Sequence, residues 1–215
     1  MALTGVCWQQ YTSTMPHVAL IYFSATGTTA ALADAVGVGA SELAEVTSHR
    51  IEGSEILDGR YRGDSALELI DRADAVVFGS PTYMGGPAAQ FKAFADASGD
   101  RWSQRRWADK IAAGFTTGTC PNGDQTQTLS YFSLLAAQHG MIWCNLDIPC
   151  GYDALRRNRL GTQLGVASQV VDGTLSEEDF LTARHLGRRV AALALRLVPT
   201  PGIPSTTPPR IPSAM

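Results

Sequence analysis

Three short runs restrict what this chain can fold into. Val18-Ala19-Leu20-Ile21-Tyr22-Phe23, Ala75-Val76-Val77-Phe78 and Ile111-Ala112-Ala113-Gly114-Phe115 are apolar without interruption. A strand with one face in water alternates apolar and polar residues. A strand without alternation suits burial on both faces, as in a parallel sheet covered by helices.

Helical patterns separate these runs. Residues 28–39 are Ala-rich, with Leu32 and Val36 at helical spacing. Ser65 to Ile70 reads as a short helix after a Gly- and Asp-containing connection, 52–64. A helix from about Ala88 places Phe91 and Phe94 on one face. Another over 125–138 carries Leu129, Phe132 and Ala136 on one stripe. In the last helix Ser176 is a good N-cap and Glu177, Glu178 and Asp179 face the positive helix end. Phe180, Ala183, Gly187, Val190, Ala194 and Leu197 form its apolar face. Residues 44–51 read as a polar strand near a sheet edge, and Met141-Ile142-Trp143-Cys144 as a fifth strand. Residues 147–172 carry no clear pattern. Strands alternating with helices predict an α/β doubly wound parallel sheet. In such sheets ligands bind beyond the carboxyl ends of the strands, at the switch in strand order.

The chain of 215 residues suffices for one large domain. Met15 stands just before the first run, so residues 1–15 read as an N-terminal extension and 16–198 as the domain. Residues 199–215 hold six of the eleven prolines and read as a Pro-rich tail. No apolar run approaches the ~18 residues of a membrane span, and no secretory pattern opens the chain. The four cysteines form no C-x-x-C pair, and no metal site is evident. A cytoplasmic location is the expectation. A net charge of −3 offers neither a basic footprint for nucleic acid nor a strong acidic docking field.

The loops after the three apolar runs carry the chemistry. Ser24-Ala25-Thr26-Gly27-Thr28-Thr29 offers four hydroxyls, free backbone N–H groups and the positive end of a helix. These groups bind a phosphate without a cationic side chain. The loop lacks the Lys of a Walker A sequence, so a bound, uncleaved monophosphate fits better than a triphosphate. By itself it could equally be a Ser/Thr-rich helix cap. Gly79-Ser80-Pro81-Thr82-Tyr83-Met84-Gly85-Gly86-Pro87 puts an aromatic and a polarisable side chain in a Gly/Pro turn, which suits a flat aromatic ligand; an ordinary β-turn is the bland alternative. Thr116-Thr117-Gly118-Thr119-Cys120-Pro121-Asn122-Gly123 supplies a third wall. Three such loops in register argue jointly for one ligand site.

At these loops the sequence resembles a known family, the flavodoxin-like NAD(P)H:quinone oxidoreductases of the tryptophan-repressor-binding-protein type. The stretches GSPTYMGGPAAQFKAFAD (79–96), FTTGTCPNGDQTQTL (115–129), HGM (139–141) and GRRVAALA (187–194) carry the likeness, which runs from about residue 17 to 198. The resemblance implies a flavodoxin-like five-stranded parallel sheet of order 2-1-3-4-5 with FMN as cofactor. It implies phosphate contacts at Ser24, Ala25, Thr26, Gly27, Thr28 and Thr29. It implies isoalloxazine and ribityl contacts from Pro81, Thr82, Tyr83, Met84 and Gly85, and from Thr116, Thr117, Gly118 and Thr119. His139 matches a family histidine near the flavin, although a cation at a helix C-terminus is the other reading. Trp102 matches an aromatic that walls the substrate side with Tyr83, although a solvated basic loop also accounts for it. A homodimer or homotetramer is implied. One departure stands out: the family commonly has Arg, Phe, Gly and Asn after the Pro-Thr pair, where this chain has Tyr83, Met84, Gly85 and Gly86.

The activity implied is two-electron transfer from NADH or NADPH to a quinone-like small molecule. The cofactor carries the chemistry, so no catalytic side chain is named. The alternatives are a flavodoxin-type electron carrier acting on protein partners and a flavin-free interaction protein.

Overall fold

The computed structural model describes residues 15–197. The expected tail over 199–215, and all of the expected extension except Met15, lie outside them.

The elements run in order as β1 (His17–Tyr22), α1 (Thr28–Ala40), β2 (Glu45–Arg50), β3 (Ile56–Leu57), β4 (Arg60–Tyr61), α2 (Ser65–Arg72) and β5 (Ala75–Tyr83). Then come β6 (Gly86–Pro87), α3 (Ala89–Ala97), α4 (Gly99–Ser103), β7 (Ile111–Gly118), α5 (Asp124–Gln138), β8 (Ile142–Trp143), β9 (Val166–Gln169) and α6 (Glu177–Leu197). The main sheet has the order β2-β1-β5-β7-β8, with these neighbours parallel. This is the doubly wound α/β order 2-1-3-4-5.

The uninterrupted apolar runs are covered on both faces, as their lack of alternation requires. Ala19, Ile21, Val76 and Phe78 pack with Phe91, Phe94, Leu129 and Phe132 beneath α2, α3 and α5. Val18, Leu20, Ala75 and Val77 pack with Leu32, Val36, Leu186 and Val190 beneath α1 and α6. Helices α1 and α6 approach backbone to backbone at two glycines. A Cβ on Gly39 would lie 1.8 Å from the Arg184 carbonyl oxygen, and one on Gly187 would lie 1.9 Å from that of Val36.

Three expectations need correction. The fifth strand is split. Ile142–Trp143 pairs with the start of β7, and Val166–Gln169 pairs with its end on the same edge. The segment between them loops out on polar bonds: Asn158 donates to the Ile148 carbonyl and accepts from the Thr162 N–H. Such bonds leave no periodicity, which is why 147–172 carries no clear pattern in the sequence. Strands β5 and β7 also run further than the apolar residues, to Tyr83 and Gly118, because their ladder continues through Ser80↔Thr116 and Pro81↔Thr117. Finally, the connection 52–64 contains the hairpin β3–β4. Its turn, Asp58-Gly59, has φ of 51° and 72°, a primed turn made from the residues that favour it.

Candidate functional site

The three loops meet at the carboxyl ends of β1, β5 and β7, and hydroxyl groups join them. Thr29 and Thr117 hydroxyls lie 2.8 Å apart, linking the first loop to the third. The Thr116 hydroxyl donates to the Ser80 carbonyl at 2.7 Å. Its proton is thereby committed, so it accepts from Thr82 at 2.8 Å. Thr82 in turn accepts from Thr128 on α5, also at 2.8 Å. Loops two and three are thus closed by a chain of four groups. Gln125 braces the third loop further: its amide donates to the Cys120 carbonyl and accepts from the Ser168 N–H.

This bonding divides the expected contact residues into two kinds. Ser24, Thr29, Pro81, Thr116 and Thr117 are buried. The Ser24 hydroxyl accepts from the N–H groups of Gly27 and Ala30, so it caps α1 from outside. Of the four hydroxyls counted in the first loop, only those of Thr26 and Thr28 remain outward; they lie 3.4 Å apart. The backbone supplies more. Gly27 has φ 98°, and a Cβ there would meet nothing within 4 Å. The N–H groups of Ala25, Thr26, Thr28 and Thr29 have no partner among the described residues. Several donors and a helix N-terminus therefore face open space, which is what an anion needs.

The second loop ends in a hairpin, with Thr82↔Pro87 and Tyr83↔Gly86 paired across β5 and β6. Met84 and Gly85 form its two-residue turn at φ 49° and 79°. Tyr83 is about half exposed and Met84 fully exposed. Gly118 and Thr119 follow the last position paired with β5, Pro81↔Thr117, and are open to solvent in part or fully. The arrangement can take a ligand with an anionic end at Ala25–Thr28 and a flat apolar body between the other loops. A flavin mononucleotide has that form, and these residues fit it.

Trp102 and His139 are not brought to these loops. Helix α5 begins just after the third loop, and its 15 residues carry the chain about 22 Å away, so His139 stands at the opposite end of the sheet. There it lines a cavity of about 570 Å³ together with Trp102, Arg105 and Gly140. His139 is 5 % exposed and lies against Trp107, ring centroids 4.3 Å apart. Its Nε2 meets the Ser98 hydroxyl at 2.9 Å. Ser98 already donates to the Ala95 carbonyl, so Nε2 carries the proton and Nδ1 is left buried with no partner among the described residues. Burial pushes its pKa down to about 4, which removes the helix-cation reading. Trp102 is exposed. Two arginines near it serve the fold: Arg101 and Arg106 pair with Asp71 at 3.5 and 2.9 Å, and Trp107 donates to the same carboxylate.

One residue at the loops escaped the sequence reading. Arg50 ends the edge strand β2, and its Nη2 donates to the Ser24 carbonyl at 2.6 Å. The register Tyr22↔Arg50 puts it beside the end of β1. Its place at the carboxyl end of the neighbouring strand was the available signal.

Comparison with known proteins agrees with this architecture. A family model described as NADPH-dependent FMN reductase matches residues 17–146. Flavodoxin FldP of Pseudomonas aeruginosa is 35 % identical over 192 residues, spanning 85 % of this chain and 99 % of that protein. A protein of Archaeoglobus fulgidus named NAD(P)H dehydrogenase (quinone) is 36 % identical, spanning 85 % of this chain and all of its own length. Among solved structures, a flavodoxin, WrbA-like protein from Agrobacterium tumefaciens superposes with a TM-score of 0.67 at 37 % identity, covering 84 % of this chain and 98 % of that one. The extent of the family match and these full-length relatives together establish that the chain belongs to the NADPH-dependent FMN reductase family.

Proposed function

We propose that the protein holds FMN across the three loops and passes two electrons from NADH or NADPH to a quinone or similar small acceptor. The observation that carries this reading is the hydroxyl clamp. Thr29–Thr117 and Thr82–Thr116 hold the loops at fixed spacing, while the outward N–H groups remain free for a ligand. Bound FMN supplies reversible two-electron chemistry. The chain does the rest. Ala25, Thr26, Gly27 and Thr28 receive the phosphate, and the buried Ser24 and Thr29 hold that loop in shape. Pro81, Thr82, Tyr83, Met84 and Gly85 border the ring system and ribityl chain on one side, Thr116 to Thr119 on the other. No arginine lies in the Tyr83–Gly86 turn, so this edge presents an apolar face to the acceptor.

Trp102 and His139 enter this reading only through a second copy of the chain. A homodimer or homotetramer would set Trp102 of the partner subunit over these loops, with Tyr83 opposite. The relatives named NAD(P)H dehydrogenase (quinone) support the enzymatic reading. The relative named a flavodoxin supports an alternative, a one-electron carrier for protein partners. A net charge of −3 gives such a carrier little electrostatic steering. Among the described residues no helix is long and apolar enough to cross a membrane.

The test is the absorbance spectrum of the purified protein after loading with FMN, then NADH and NADPH oxidation with several quinones. Flavin uptake with turnover is expected. A flavin-loaded protein that oxidised neither nucleotide with any quinone would overturn the enzymatic reading. Reduction in two resolved one-electron stages would favour the carrier.

A further inference from the structure

We propose that Arg50 is a positioning residue for the flavin phosphate, acting through the Ser24 carbonyl it holds. The inference rests on the reading that the loop Ser24–Thr29 receives that phosphate. The loop contains no Lys or Arg of its own. Arg50 reaches it from the edge strand and donates to the Ser24 oxygen at 2.6 Å. A trans peptide sets its C=O and the following N–H on opposite sides. With the carbonyl turned to the guanidinium, the Ala25 N–H points away from it, toward the exposed side formed by Ala25, Thr26 and Gly27. A charged donor on the carbonyl also polarises the peptide and strengthens that N–H as a donor.

Besides Ser24, Arg50 meets only weak competitors: its charge is felt at the Tyr22 hydroxyl beside it. Its ion pair is with Glu52, Nε to Oε1 at 3.4 Å, and the two side chains are 41 % and 55 % exposed. Pairs of that kind contribute little to stability. The contact with Ser24 is therefore the one through which Arg50 acts. It also places one positive charge behind a loop that would bind an anion with backbone dipoles alone. Ser24 is held from the other side by its own hydroxyl, which accepts from Gly27 and Ala30. The residue is thus pinned at its hydroxyl by the cap of α1 and at its carbonyl by Arg50.

The experiment uses two ligands that differ only in the phosphate. FMN and riboflavin are titrated into the flavin-stripped full chain, wild type, Arg50→Gln and Arg50→Lys, by quenching of flavin fluorescence. The melting temperature of each flavin-free variant is measured alongside. Arg50→Gln is expected to weaken FMN about tenfold or more and to leave riboflavin and the melting temperature unchanged. Arg50→Lys, which keeps the charge and one donor, is expected to recover part of the FMN affinity. An equal loss for both flavins would overturn the proposal, because it would mark general loosening. So would unchanged FMN affinity in Arg50→Gln. Equal affinity of the wild type for FMN and riboflavin would overturn the phosphate-loop reading itself, and the role of Arg50 with it.

Discussion

The hydroxyls of Thr29 and Thr117 lie 2.8 Å apart across 88 residues of sequence, and both side chains are buried. This bond ties the first turn of α1 to the end of β7. Removing one partner leaves a buried hydroxyl alone, which costs about 1–3 kcal/mol. Thr29→Val and Thr117→Val should each destabilise the flavin-free protein by that amount in urea denaturation. The double variant should lose less than the sum, since no unpaired hydroxyl remains. Strict additivity would show that the bond contributes nothing.

The Met84-Gly85 turn invites a stability gain. Met84 sits at φ 49° at the first position of a primed turn, where Asn or Asp is preferred and other side chains are strained. The same turn at Asp58-Gly59 uses a favoured residue. Met84 is fully exposed, so its replacement removes no packing. Met84→Asn should raise stability by about 1 kcal/mol, seen as a rise of about 2–4 °C in melting temperature. On the proposed function it should also raise KM for an apolar quinone. A lowered melting temperature would show that the methionine makes contacts this geometry does not contain.

His139 should make stability depend on pH. Its pKa is pushed down to about 4 by burial, below the ~6.5 of an unfolded histidine. Between those values the unfolded chain binds the extra proton and the native protein does not. Its contribution is therefore fully present above about pH 6.5 and is lost as pH falls toward 4, by up to about 3 kcal/mol. His139→Phe, which keeps a ring against Trp107, should flatten the stability profile over that window. An unaltered slope in the variant would refute the assignment.

Gly39 and Gly187 should tolerate no side chain. Each would drive a Cβ to within 2 Å of a carbonyl oxygen on the facing helix, and neither helix can yield without moving its backbone. Gly187→Ala is expected to destabilise by at least about 2 kcal/mol. Helix α1 opens on the first loop, so flavin affinity should fall as well. Gly53→Ala, where a Cβ meets open space, is the control and should stay within about 0.5 kcal/mol of wild type.

Much of the fold was legible because burial leaves a pattern. Val18–Phe23 and Ala75–Phe78 lack alternation, and both lie at the centre of the sheet. The cap at Ser176 was legible for the same local reason: its hydroxyl accepts from the Asp179 N–H. The fifth strand was half legible. Ile142–Trp143 is apolar, but Val166–Gln169 owes its place to the ladder of β7 and to the Gln125 amide that accepts from the Ser168 N–H, and these have no period to read. At the site, the loop positions could be read from the strands they follow. Which side chains turn outward could not.

The loop Ser24–Thr29 shows where that division falls. Sequence alone determined that a Gly-containing, hydroxyl-rich turn joins a buried strand to a helix, because composition and periodicity are local. Tertiary structure decided the rest. It committed Ser24 to a cap and Thr29 to Thr117, left the backbone N–H groups as the outward donors, and brought Arg50 to the Ser24 carbonyl from a neighbouring strand. It also set His139 and Trp102 at the far end of the sheet. Each outcome depends on which groups meet across the sheet and which hydroxyl proton is already committed, and no local pattern encodes such pairings.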